Sequence, residues 1–78
     1  MNKNATLQEQ FLCKVLRHGT PLVVFLMNGF QLRGVITGFD NFSVLLQTEG
    51  KQQFIYKHAI STIVPAQAVS LEEAAPQP

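Results

Sequence analysis

Two segments of this chain, residues 22–27 and 44–46, are apolar at every position. Alternate side chains of a β-strand point to opposite faces of its sheet, so a strand through either segment is apolar on both faces. A single sheet carrying one helix cannot cover both faces, and a chain of 78 residues buries only a modest share of its surface. We therefore expect a strongly bent sheet whose burial is completed by self-association.

The cross-links that often reinforce so small a domain are not evident. Disulfides, a structural metal and self-association are the usual reinforcements. The lone Cys13 cannot form an intramolecular disulfide, and His18 and His58 lie too far apart for zinc-ligand spacing. We expect self-association, with no metal and no cofactor. Cys13 receives no role, because no catalytic partner constellation lies near it.

Charge and hydropathy predict a soluble, intracellular, cytoplasmic protein. The N-terminus has no apolar signal core, and residues 22–27 are too few to cross a bilayer. The formal net charge is +1, from 6 Lys and Arg against 5 acids, but Glu72 and Glu73 both lie in the final stretch. Without those two the body carries about +3, a modest basic excess that permits a nucleic-acid partner but does not identify one.

A helix is predicted over residues 7–18. Thr6 and Glu9 have the spacing of a capping box, in which each side chain bonds the other's backbone N–H. Gly19 can end the helix in the left-handed conformation. The apolar residues in between recur at helical spacing along one stripe, at positions 7, 11, 12, 15 and 16.

Five strands are predicted after the helix, at about residues 22–27, 30–39, 43–47, 51–56 and 60–64. Asn28-Gly29 predicts a type I′ hairpin turn between the first two. Gly34 and Gly38 would allow the bending that a small barrel requires. Such an open barrel has unpaired edge strands, and head-to-tail pairing of edges can close a ring. Residues 66–78 lack aromatics and periodicity and are predicted to be a flexible tail.

Three motifs resemble those of the bacterial Hfq family, the RNA-binding branch of the Sm-like superfamily: residues 56–63 (YKHAISTI), 28–34 (NGFQLRG) and 39–42 (FDNF). The resemblance spans about residues 5–65 and makes 1–65 one Sm-like domain. It implies a small, open, five-stranded, strongly bent antiparallel barrel, mainly β with one N-terminal α-helix. It further implies a homohexameric ring that acts as an RNA chaperone and pairs small regulatory RNAs with messenger RNAs.

The resemblance assigns a proximal RNA site on the helix-bearing face, around the central pore. U-rich single strands would be bound there. The residues that match this site are Gln8, Asn41, Phe42, Tyr56, Lys57 and His58. The alternative for Phe42 is core packing, and for Lys57 and His58 an ordinary surface role. Asp40 is expected to cap neighbouring amides, because a carboxylate repels phosphate.

The opposite, distal face would bind A-rich strands. The matching residues are Phe25, Leu26, Gly29, Phe30, Gln31, Leu32 and Arg33. Burial is the alternative for Phe25. Some relatives have Tyr in place of Phe25 and Gln in place of Arg33, which leaves the adenine-containing repeat open. On the outer rim, the matching residues are Lys14, Arg17 and His18, which include only one arginine. We therefore expect weaker strand annealing than in arginine-rich relatives. The alternative is that these side chains only solvate the exposed side of the helix.

Two other functions remain open. The same ring could be a scaffold for protein partners with incidental RNA binding, or the chain could be a monomeric single-strand binder of the OB or cold-shock type. An enzyme is not expected. The sequence has no paired carboxylates, no nucleophile with an adjacent base and no phosphate-cradling glycine loop.

Overall fold

The computed structural model describes residues 6–71, which form one helix followed by five antiparallel strands. Every predicted element is confirmed, with its ends within one residue of the prediction. No helix in the described range is long and apolar enough to span a membrane. The elements are α1 (Leu7–His18), β1 (Leu22–Leu26), β2 (Gln31–Phe39), β3 (Ser43–Thr48), β4 (Lys51–Tyr56), a 3₁₀ turn (Lys57–Ala59) and β5 (Ile60–Pro65).

Both ends of α1 have the predicted caps. The Thr6 hydroxyl accepts from the backbone N–H of Glu9 at 3.0 Å, and the Glu9 carboxylate accepts from the Thr6 N–H at 3.2 Å. Gly19 adopts the left-handed conformation at φ 60°. The helix is therefore defined by local sequence at each end, and Leu12 and Val15 on its inner face are fully buried.

The hairpin between β1 and β2 differs from the prediction. Asn28 does not have a positive φ, so the type I′ turn predicted at Asn28-Gly29 is wrong. The loop has three residues: the Gly29 N–H donates to the Leu26 carbonyl at 2.9 Å, and the Leu26 N–H donates to the Phe30 carbonyl at 2.8 Å. Gly29, at φ 95°, supplies the left-handed position of a turn followed by a bulge. The Asn28 side chain stabilises this loop by accepting from the Phe30 N–H.

The two-residue turn with both residues at positive φ occurs instead between β3 and β4. Glu49 has φ 48° and Gly50 has φ 83°, and they join the paired residues Thr48 and Lys51. These angles are typical of a type I′ turn. The Asn-Gly dipeptide therefore does not distinguish a two-residue hairpin loop from a three-residue one, because both need a glycine at positive φ.

The sheet has the strand order β4-β3-β2-β1-β5, and β2 is the strand on which it bends. The first half of β2 pairs with β1 and the second half pairs with β3. The register shifts between Ile36 and Gly38, which marks a bulge where the two halves meet. Among the described residues, the strands at the two ends of the sheet, β4 and β5, each have only one neighbour.

One face of the bent sheet closes over α1 to form the core. The buried residues are Leu12, Val15, Leu22, Val24, Ile36, Val44, Leu46 and Ile55. Apolar side chains of the other face stay accessible: Phe54 and Tyr56 on β4 are 58% and 54% exposed, and Val64 on β5 is 46% exposed. A single subunit thus leaves apolar surface uncovered on both edge strands.

Residues 66–71, the described part of the expected tail, contact the domain. The Ala66 N–H donates to the Pro21 carbonyl at 2.8 Å, and Val69 packs against the core. Leu71 lines a groove beside α1. The contacts of the domain therefore extend past the predicted boundary at residue 65, because Val69 and Leu71 find apolar partners. Residues 72–78 lie outside the described range.

Gly34 should be less tolerant of a side chain than Gly38. A Cβ on Gly34 would collide with the Gln47 carbonyl oxygen and lie 2.8 Å from the Thr48 hydroxyl oxygen, whereas one on Gly38 would lie 3.6 Å from Leu45. We expect Gly34→Ala to lower the free energy of unfolding by about 1–3 kcal/mol, and Gly38→Ala to be neutral or slightly stabilising. Urea unfolding of both variants tests this; equal stability would contradict it.

Candidate nucleic-acid interface

Lys57 is the best-held cation in the described part of the chain. It follows β4 directly, and its backbone N–H donates to the Phe42 carbonyl at 2.7 Å, which ties the end of β4 to the β2–β3 turn. Its ammonium donates to Gln8 Oε1 at 2.7 Å and lies 5.7 Å from the centroid of the Phe39 ring. Residues from α1, β2 and the 3₁₀ turn thus converge on one charged group.

Asp40 organises the turn beside Lys57. One carboxylate oxygen accepts from the Phe42 N–H, the Ser43 N–H and the Ser43 hydroxyl, each at 2.8 Å. These bonds, that from the Phe42 N–H most of all, lower the pKa of Asp40, and the charge of Lys57 lowers it further. The predicted capping role of Asp40 is confirmed, and the buried Ser43 hydroxyl is satisfied by it.

The turn that Asp40 shapes carries Asn41 and Phe42 outward. Phe42 is 73% exposed, which excludes the core-packing alternative. Asn41 is also exposed. A ring held this far out of the protein by a rigid turn has a free face for stacking. The exposure therefore agrees with a contact surface and has no explanation in the packing of the subunit.

Tyr56 and His58 belong to an aromatic row on the outer face of β4. The rings of Phe54 and Tyr56 meet edge to face at 5.2 Å, and those of Tyr56 and His58 are stacked at 5.6 Å with an interplanar angle of 10°. His58 is exposed, and its ring lies nearly parallel to that of Tyr56. The Tyr56–His58 stack and the Gln8–Lys57 hydrogen bond share no residue, so these four predicted proximal residues form two separate contacts within one subunit.

An apolar groove of about 590 Å³ begins at the Gln8–Lys57 pair and runs between α1 and β5. Leu7, which is 61% exposed, and Phe11 line its helix side, while Ile60 and Ile63 line its strand side. The polar pair therefore lies at the border of an open apolar surface next to an unpaired strand edge.

The seven predicted distal residues lie on the β1–β2 hairpin, but they divide between its two faces. The pairs Phe25↔Gln31 and Val23↔Arg33 place Phe25, Gln31 and Arg33 on the outer face. Leu26 and Leu32 pack against the core. Gly29 and Phe30 form the exposed tip, where Phe30 is 67% accessible. Phe25 is half-buried and is not among the residues packed on the core, so it lies outside the core cluster.

The three predicted rim residues are also separated. Lys14 and His18, one helical turn apart, line a cleft with residues 67–70, and Arg17 is outside it. Sequence reasoning missed Phe39, whose ring lies near the Lys57 ammonium, and Phe54, which begins the aromatic row. Phe39 is the first residue of the motif at residues 39–42 (FDNF), but it was assigned no role. Within residues 6–71 no three His, Cys, Asp or Glu side chains could together hold a metal ion.

Comparison with known proteins gives one consistent result. The family model described as "Hfq protein" matches residues 7–70. The chain is 58% identical over 72 residues to the RNA-binding protein Hfq of Bacillus thuringiensis (strain Al Hakam) and to that of Bacillus cereus (strain B4264), covering 92% of this chain and 97% of each relative.

Solved structures agree with the sequence relatives. A crystal structure of the pleiotropic translational regulator Hfq aligns with a TM-score of 0.74 at 44% identity, over 76% of this chain and 98% of that one. An Hfq protein from Anabaena sp. aligns with a TM-score of 0.69 at 22% identity, over 74% and 93% of the two chains, and shows the fold alone. The predicted Sm-like fold is confirmed.

The lowered pKa of Asp40 predicts a pH-dependent stability. Because the folded pKa lies below the ordinary value of 3.8, the carboxylate stabilises the fold above that value, and this stabilisation is lost as pH falls through the folded pKa. The difference in free energy of unfolding between the protein and Asp40→Asn should be constant above about pH 6 and shrink below about pH 4. Urea unfolding from neutral to acidic pH measures it; a difference that does not vary with pH would be contrary to this account.

Proposed function

The chain belongs to the Hfq family, and we propose that it is an RNA chaperone that binds single-stranded RNA on two opposite surfaces of a homohexameric ring. U-rich strands bind the proximal surface, at Gln8, Asn41, Phe42, Tyr56, Lys57 and His58. A-rich strands bind the distal surface, at Phe25, Leu26 and residues 29–33. The observation that carries the proposal is the pairing of Lys57 with Gln8 beside the exposed ring of Phe42.

The Gln8–Lys57 pair is suited to a base with carbonyl acceptors. A lysine ammonium has only donors, so it must bond the Gln8 side-chain oxygen, and the Gln8 amide N–H groups remain available to donate outward. The ammonium has further N–H groups of its own. Both side chains therefore offer donors, which match the two carbonyls of uracil better than the amino group of adenine or cytosine.

Phe42 supplies the stacking surface next to these donors. The Lys57 backbone bond to the Phe42 carbonyl fixes the two residues relative to one another. Stacking on an exposed aromatic ring strengthens the binding of any base, whatever its type. The nearby hydrogen-bond donors then distinguish one base from another. Asn41 lies beside Phe42 and offers both a donor and an acceptor to a base edge.

Ring formation follows from the two free edges. Pairing of β4 in one subunit with β5 in the next would satisfy the backbone hydrogen-bonding groups of both edges. It would also cover Phe54 and Val64, which are exposed in the single chain. Head-to-tail pairing of this kind closes into a ring when the rotation permits. It would also bring one copy of Tyr56, Lys57 and His58 from every subunit to the same opening, where the positive charges add.

The two surfaces lie at opposite ends of β2. The distal tip precedes Gln31, the first residue of the strand, and the proximal turn follows Phe39, the last. The nine residues of β2 span up to about 30 Å, so an RNA strand bound on one surface does not block the other surface. A ring could hold a small regulatory RNA and a messenger RNA together and raise their rate of pairing, which is the chaperone activity we propose.

Removing the Lys57 ammonium should weaken binding of U-rich RNA. A hydrogen bond to a charged group contributes about 1.5–3 kcal/mol, so we expect Lys57→Ala to lower affinity for oligo-U at least about tenfold. Lys51→Ala, which removes an equal charge from the exposed start of β4, is the matched control and should change affinity little. Fluorescence anisotropy measures affinity and light scattering the ring mass. Unchanged oligo-U affinity in an intact ring would disprove the proximal assignment.

Phe42 and Phe30 provide reciprocal tests of the two surfaces. Both rings are exposed, at 73% and 67%, so neither substitution should unfold the protein. Loss of stacking costs about 1–3 kcal/mol per base. Phe42→Ala should weaken oligo-U and spare oligo-A, and Phe30→Ala should do the reverse. If both variants lost affinity for both oligomers to the same degree, the division into two surfaces would be wrong.

A further inference from the structure

Thr48, the last residue of β3, links the β3–β4 hairpin to the strand that carries several distal residues. Its hydroxyl donates to the Arg33 carbonyl oxygen at 2.5 Å. Arg33 lies in β2, 15 positions earlier in the chain, and belongs to the proposed distal surface. Thr48 is itself half-buried and paired with Lys51 across the two-residue turn. A side chain outside the distal surface is therefore bonded directly to a residue within it.

This bond lies where β2 separates from β3. The backbone ladder between the two strands ends at the pair Val35–Gln47. Two residues before Val35, β2 pairs on its other side with β1, through Arg33 and Val23. Arg33 thus lies past the end of the β3 ladder. The Thr48 hydroxyl takes the place of a ladder partner on that side of the strand.

The absence of a side chain at Gly34 makes room for the bond. A Cβ at Gly34 would lie 2.8 Å from the Thr48 hydroxyl oxygen and would collide with the Gln47 carbonyl oxygen, so the hydroxyl would be pushed away from Arg33. Glycine also leaves the backbone more conformational freedom than any other residue does. The peptide that joins Arg33 to Gly34 therefore gains from an external partner, and Thr48 provides one.

We propose that Thr48 is a positioning residue of the distal surface, because its hydroxyl holds the Arg33 carbonyl and so fixes the direction in which the Arg33 side chain leaves β2. Arg33 is exposed on the outer face with Phe25 and Gln31. A guanidinium there can bond a phosphate or the edge of a purine base. A restrained backbone lowers the entropy that this long side chain loses on binding. The inference rests on the proposed function, since A-rich RNA is the ligand of this surface.

Removing the hydroxyl without changing the shape of the side chain tests the proposal. Thr48→Val keeps the β-branched form that strands favour. We expect it to weaken oligo-A binding about threefold, as the loss of one neutral hydrogen bond would, and to leave oligo-U affinity and ring mass unchanged. Thr48→Ser keeps the hydroxyl and should bind oligo-A as tightly as the unmodified protein. Thr37→Val makes the same chemical change at an exposed position of β2 and should alter neither affinity.

A double-mutant cycle with Arg33→Leu separates positioning from a general loss of stability. The backbone carbonyl remains in Arg33→Leu, so Thr48 can still bond it, but no guanidinium is left to direct. Thr48→Val should then cost no further oligo-A affinity. Additive losses, an equal loss of oligo-U binding, or a Thr48→Ser variant as weak as Thr48→Val would each overturn the positioning role.

Phe30→Ala, measured alongside, reports on the distal surface itself. If Phe30→Ala weakens oligo-A binding and Thr48→Val does not, the role of Thr48 is wrong and the distal surface stands. If both variants bind oligo-A as tightly as the unmodified protein, the distal assignment is wrong, and the role of Thr48 is rejected with it.

Discussion

Strand β2 is shared by both halves of the sheet, and the positions of the candidate surfaces depend on its bend. Its backbone must approach β3 closely at Gly34, where a Cβ would meet the Gln47 carbonyl, and the bulge before Gly38 then shifts the pairing with β3. The bend lets one sheet enclose a core with a single helix. It also leaves β4 and β5 as separate free edges, which is why a second subunit can continue the sheet.

The same strand connects the candidate surfaces. The hairpin that precedes β2 displays Phe30, and the turn that follows it displays Phe42, so two exposed rings are held at a fixed separation by a rigid element. The Asp40 carboxylate holds the second turn, and Lys57 joins that turn to β4 and α1 through its backbone and side chain. Charge is scarce in this chain, and most of the site geometry comes from hydrogen bonds that orient a few donors.

Much of the fold could be predicted because its signals are local. The Thr6–Glu9 capping box, Gly19 and the apolar periodicity depend on neighbours within one or two turns of chain, and all were confirmed. The type of the β1–β2 turn was predicted wrongly, because Asn-Gly also fits a three-residue loop with a bulge. The packing of Val69 was missed because residues 66–71 have no periodicity, and only the folded domain provides the apolar surface they contact.

The sequence alone determined the order of helix and strands, the family, and the residues that match its RNA-contacting motifs, since these depend on residue type and spacing. Only the tertiary structure decided which of those residues meet. It joined Gln8 to Lys57 across 49 positions and placed Phe39 beside the same ammonium. It put Leu32 and Gln31 on opposite faces of the hairpin. It also placed Lys14 and His18 in a cleft that Arg17 does not line. Contacts between distant segments depend on strand register and on the bend of the sheet, and neither can be predicted from any one segment of the chain.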